Sequence, residues 1–93
     1  MIEGNNKVYI IVVWHEGIPH FLQTNNKVRW FFEALIKPYV RLENAKKTAR
    51  KLCAEYVNDK VCVYHIEYSA IPSSSDFVHG KFDKDIVFCL KEK

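Results

Sequence analysis

The sequence predicts an α+β domain, an antiparallel sheet of four to six strands with one main helix packed on one face. Three observations carry that expectation. Segments rich in β-branched and aromatic residues recur along the chain, "KVYIIVVW" at 7–14, "KVCVYHIEY" at 60–68 and "IVFCL" at 86–90. A single stretch between them, around "NAKKTARKLCAEYV", spaces its apolar residues as a helix does. Gly, Pro and Asn punctuate the short connections near the N-terminal end, which suits hairpins.

Taken in order, 7–14 is apolar without alternation, as expected of a strand buried on both faces. "HEGIP" at 15–19 supplies a turn, and "HFLQT" at 20–24 reads as the return strand. Asn25 and Asn26 offer a second tight turn, because Asn tolerates positive φ. "KVRWFF" reads as a third strand, but "RWFFEALIK" at 29–37 reads equally as a short helix near 30–36, ended by Pro38. "YVRL" at 39–42 is an extended link. The main helix is expected at about 45–57, capped by Asn44 and stopped at Asn58 and Asp59. Ala45, Ala49, Leu52, Cys53 and Tyr56 form its apolar stripe.

In 60–68, alternation puts Cys62, Tyr64, Ile66 and Tyr68 on one face and Val61, Val63, His65 and Glu67 on the other. "SAIPSSS" at 69–75 reads as a loop, "DFVHGKF" at 76–82 as a weak strand, "DKD" as a turn and 86–90 as a final buried strand. Several strands are apolar on both sides. The second sheet face therefore needs a cover, either the aromatic segment near Trp30 or a second protomer, which makes a homodimer through that face an expectation.

At 93 residues, the whole of 1–93 is expected to be one domain, and 48% hydrophobic with 27% charged residues is a globular composition. The longest strongly apolar run, at 8–14, is far shorter than the roughly 20 residues of a membrane-spanning helix. "MIEGNNK" has none of the parts of a secretion signal, so a cytoplasmic protein is expected. Cys53, Cys62 and Cys89 are widely spaced among apolar neighbours, the pattern of buried free thiols in a reducing compartment.

Catalytic and metal patterns find little purchase. "HEGIPH" sets His15 and His20 five apart with Gly17 and Pro19 between them, which no metal-gripping helix turn tolerates. A hairpin could still gather them with Glu16 or His65, the residues of a minor metal or enzyme hypothesis. "SSSDFVHG" lacks a nucleophile elbow, and the three glycines, at 4, 17 and 80, form no phosphate loop. Asp83 and Asp85 are too few oxygens for calcium. No enzyme activity, cofactor or metal is therefore expected.

Charge is more informative. The formal net charge is +3, yet residues 27–51 hold eight Lys and Arg against Glu33 and Glu43, a local +6. At 100° per residue, Lys46, Lys47, Arg50 and Lys51 fall within about 140° opposite the apolar stripe. Arg41 precedes them, and Lys27 and Arg29 interleave with Phe21, Trp30, Phe31 and Phe32, an arrangement in which rings either cover the sheet or stack on bases. The leading expectation is a small non-enzymatic binding module. Lys27, Arg29, Arg41, Lys46, Lys47, Arg50 and Lys51 would engage an anionic partner, most simply nucleic acid, or an acidic protein surface. The alternative is a stand-alone regulator or inhibitor of another protein, for example a virus- or mobile-element-encoded blocker of a host nucleic-acid enzyme.

Overall fold

The computed structural model describes residues 7–68 and 74–91. Strands β1 (Lys7–His15), β2 (Ile18–Leu22), β3 (Val28–Arg29), β4 (Lys60–Glu67) and β5 (Ile86–Lys91) pair antiparallel in the order β3-β2-β1-β4-β5. One long helix, α1 (Leu42–Glu55), a five-residue helix, α2 (Ser74–Val78), and a 3₁₀ turn at Asp83–Asp85 complete an α+β fold of the predicted class.

β1 is the central strand, and its residues Ile10 to Val13 are at most 1% exposed. Each such side chain contributes roughly 1.5–3 kcal/mol by leaving water, which is why this segment shows no polar alternation. Odd-numbered residues face one side, where Ile11, Val13, Val61 and Val63 meet Ala45, Ala49, Leu52 and Cys53 of α1. Even-numbered residues face the other, where Ile10, Val12, Cys62, Tyr64 and Ile66 pack with Phe21, Ile36, Phe77 and Phe82. The two faces expected of 60–68 are those observed.

β1 and β2 are joined by Glu16 and Gly17 alone, with φ of 52° and 81°. Two left-handed residues match the right-handed twist of the flanking strands and set the register His15 to Ile18, Trp14 to Pro19 and Val13 to His20. The return strand thus starts before the expected His20. Pro19 keeps its place in it because β3 bonds only with Phe21 and Leu22, so no second neighbour asks for its missing N–H. Asn26, with φ of 66°, confirms the second turn.

Residues 30–36 form neither a continued strand nor the short helix. Gln23, fully buried, takes their backbone groups instead: its Oε1 accepts from the N–H of Glu33 (2.9 Å) and Ala34 (2.8 Å), and its Nε2 donates to the Phe31 carbonyl (2.7 Å). The Thr24 N–H bonds the Leu35 carbonyl and the Lys37 N–H that of Leu22. A helix would need those groups for itself.

α1 starts at Leu42 rather than 45, behind an extended Arg41 (φ −111°, ψ 133°) with no side-chain cap, so Asn44 lies inside the helix. Burial decides this: Leu42 packs against the helix-side core, and Glu43 complements the positive helix end. The "DFVHGKF" segment is no strand. It contributes α2 and its following turns, from which Phe77 sets its ring 5.1, 5.2 and 4.8 Å from those of Phe21, Tyr64 and Phe82. This segment, with Ile36, packs over the second face from within the chain. The expected loop at 69–75 lies largely outside the described residues.

β5 is an edge strand with Val87 45% exposed, not a buried one. Its register sets Cys89 opposite Cys62, and the two form a disulfide with Cα atoms 4.2 Å apart. This corrects the free-thiol expectation for both; Cys53 lies outside the disulfide and is buried in the helix-side core. Spacing could not reveal the pair, since 27 residues separate cysteines that only the β4–β5 ladder brings together. Such bonds persist in oxidising surroundings, so this pair gives no support to a reducing compartment.

Two outcomes test this packing. Reducing the disulfide frees a loop of 27 residues and is expected to lower unfolding free energy by about 3–4 kcal/mol, read as a shift of the urea midpoint with and without reductant. Gln23→Ala strands the three backbone groups it serves and is expected to cost about 1–3 kcal/mol, with faster amide exchange at Glu33 and Ala34.

Candidate functional site

α1 lays small residues, Ala45 and Ala49, against the sheet, so the helix lies close and its long cationic side chains point away or along the rim. Lys46 and Arg50, one turn apart, hold their charges 5.1 and 5.5 Å from the ring of Phe88 on β5. Lys47, Arg50 and Lys51 are exposed and Lys46 half-buried against that ring. Arg41 is exposed at the helix start. Among the described residues no carboxylate lies within ion-pair distance of any of these five.

Lys27 and Arg29 belong elsewhere. They sit at the β3 edge, the opposite end of the sheet from β5, and both face Glu33: Arg29 Nε donates at 3.2 Å and Lys27 Nζ lies at 3.9 Å. Their charge is partly neutralised and separate from the helix face. The seven cations expected to act together thus form one helix-borne group of five and one edge pair.

Beside that pair, Trp30, Phe31, Phe32 and Leu35 are 56%, 42%, 50% and 69% exposed, so these rings do not simply cover the sheet. Phe32 leans on buried Phe21 with centroids 5.3 Å apart, and Trp30 meets Phe31 edge-on at 5.2 Å. The backbone bonds to Gln23 fix this display.

The third feature lies where the β1–β2 hairpin meets the end of α1. His15 follows Val13 by two residues and His20 stands opposite Val13, so alternation and register put both imidazoles on the helix side as diagonal neighbours. Their centroids are 5.8 Å apart and their planes cross at 89°. With Val13, Val28, Tyr56 and Asp59 they line a pocket of about 160 Å³. Asp59, 7% exposed, accepts from His15 Nδ1 at 2.8 Å, and this hydrogen bond and charge raise the His15 pKa above its ordinary 6.5, aided by nearby Glu16. His65 is absent from this group. It stacks on Tyr9, centroids 4.2 Å apart, six residues and roughly 20 Å back along β1.

Sequence reasoning missed Asp59, expected only as a helix stop, and Tyr56, expected as core. The available signal was the two-residue turn, which fixes the position of His20; nothing local announces that the α1–β4 connection delivers a carboxylate there. No three described His, Cys, Asp or Glu residues converge tightly enough to enclose a metal among themselves. Elsewhere, Trp14 Nε1 donates to Tyr64 Oη at 3.2 Å, and burial raises the Tyr64 pKa. No described helix is long and apolar enough to cross a membrane. Compared with protein-family models, curated proteins and solved structures, the chain matches none.

The His15–Asp59 pair has a directional consequence. A histidine whose pKa is raised on folding adds stability that is fully present below the unfolded value near 6.5 and is lost as pH rises through the folded value. Asp59→Asn removes the charge and is expected to return the His15 titration, followed by NMR of the ring protons, toward the ordinary value.

Proposed function

We propose that the protein is a non-enzymatic binding module whose α1 outer face, Arg41, Lys46, Lys47, Arg50 and Lys51, contacts the phosphates of a nucleic acid. One observation carries this: four cations on α1, of which Lys46 is half-buried, and Arg41 just before it have no described counter-ion, whereas Lys27 and Arg29 share Glu33. Unpaired cations keep their counterions until a polyanion displaces them, and release of those ions drives binding without sequence-specific contacts. Lys46 and Arg50, steadied on Phe88, lose less side-chain freedom on docking than free lysines.

A second reading has its own observation. The fixed, half-exposed rings of Trp30, Phe31 and Phe32 with Leu35 are the kind of preorganised aromatic anchor found at the centre of protein interfaces. They support a regulator that docks on another protein through the β3 edge.

Fluorescence anisotropy with short single- and double-stranded DNA and RNA from 50 to 300 mM salt separates the two. Phosphate binding is expected to weaken steeply with salt, to vanish in the Lys46/Lys47/Arg50/Lys51 to Glu variant, and to lose about one unit of salt slope in Lys47→Ala. Trp30→Ala is expected to leave it unchanged. No binding by the folded wild type, or equal binding by the charge-reversed variant, overturns the nucleic-acid reading.

A further inference from the structure

We propose that His15 and His20 together bind one divalent transition-metal ion of the borderline class, Cu²⁺, Ni²⁺ or Zn²⁺, through their Nε2 atoms at the mouth of the hairpin pocket. The inference stands apart from the nucleic-acid reading and uses none of its residues.

The tautomers come first. His20 Nδ1 lies 2.9 Å from the Ile18 carbonyl oxygen, which can only accept, so that nitrogen carries the proton. An ionised Asp59 likewise only accepts, so the His15 nitrogen 2.8 Å away is the donor. In the neutral rings both Nε2 atoms therefore keep their lone pairs. A ring nitrogen tied back to a carboxylate, and another tied back to a backbone carbonyl, are the two outer-shell arrangements that orient metal-binding histidines and strengthen them as ligands.

Spacing agrees. With metal–nitrogen bonds of about 2.0–2.1 Å each ring centre lies about 3.2 Å from the ion, so the observed 5.8 Å between centres lets both rings reach one ion at a wide angle of about 130°. Glu16 Oε2 stands 4.0 Å from His15 Nε2 on a side chain 81% exposed, free to swing in as a third donor. Water supplies the rest, which fits the finding that no three described donors enclose an ion by themselves. An open set of two imidazoles and a carboxylate favours nitrogen-seeking ions over Mg²⁺ or Ca²⁺, with Cu²⁺ tightest of the series. Val13 and Val28 supply the apolar part of the pocket lining beside the rings.

The test is calorimetric titration of tag-free, disulfide-intact protein with Cu²⁺, with frozen-solution EPR of the one-equivalent complex. One ion per chain is expected, with hyperfine structure from two imidazole nitrogens. His15→Ala and His20→Ala are each expected to weaken binding at least tenfold, and Asp59→Asn about 10–100-fold through loss of the oriented ring. His65→Ala and His79→Ala should leave it unchanged. Removing the His15 ring takes the partner from nearly buried Asp59, so far-UV circular dichroism checks the fold of each variant, and His20→Ala, which leaves that pair intact, carries the test by itself if His15→Ala unfolds. Wild-type affinity no greater than that of a His15→Ala/His20→Ala double variant overturns the proposal, as does an equal loss in His65→Ala.

Discussion

Everything in this fold follows from one strand that has no polar face. Ile10 to Val13 are shut off from water on both sides, so β1 must lie at the centre of the sheet with a strand on each edge and a covering layer above and below. A regular helix meets the demand on one face. On the other, the chain uses irregular pieces: Ile36 from the pinned segment after β3, and Phe77 and Phe82 from the stretch around α2. Their ring-on-ring contacts with Phe21 and Tyr64 supply apolar area that a second helix would otherwise provide.

That arrangement also distributes the chemistry. Because α1 turns Ala45, Ala49, Leu52 and Cys53 inward, its cations have only the solvent side and the β5 rim to occupy, and Phe88 receives two of them. Because β3 is two residues long, the chain beyond it cannot stay in the sheet, and Gln23 holds it with its rings outward. The hairpin end, where β1 outlasts the helix, leaves the pocket in which two histidines meet Asp59. Three surfaces of different character thus occupy three separate places, basic at the helix and β5, aromatic at β3, imidazole at the first turn.

Polar groups buried in this core show why small domains keep a few of them. Gln23 is fully buried, yet its amide is spent on three backbone partners, and Asp59 is matched by His15. Each ties a connection to the sheet, Gln23 the 30–36 segment and Asp59 the turn after α1. Cys62 and Cys89 add a covalent tie between β4 and the edge strand β5.

Much of the architecture was legible in the sequence because it is written in periodicity. The unalternating run at 7–14, the two-residue alternation at 60–68, the helical stripe from Ala45 to Cys53 and the left-handed tolerance of Gly17 and Asn26 each act within a few residues of themselves. The outward basic face of α1 was legible for the same reason. Contacts between segments distant in sequence were not. Whether 30–36 coils into a helix depended on a glutamine seven or more residues earlier; whether 76–82 extends or turns depended on the sheet face it covers. The pairing of Cys62 with Cys89, the division of Lys27 and Arg29 from the helix cations, and the meeting of His15, His20 and Asp59 all depended on register and on where the sheet's edges fall. Local residue choice determined the elements, and only tertiary structure decided their neighbours, because burial of the central strand is satisfied by the whole chain at once.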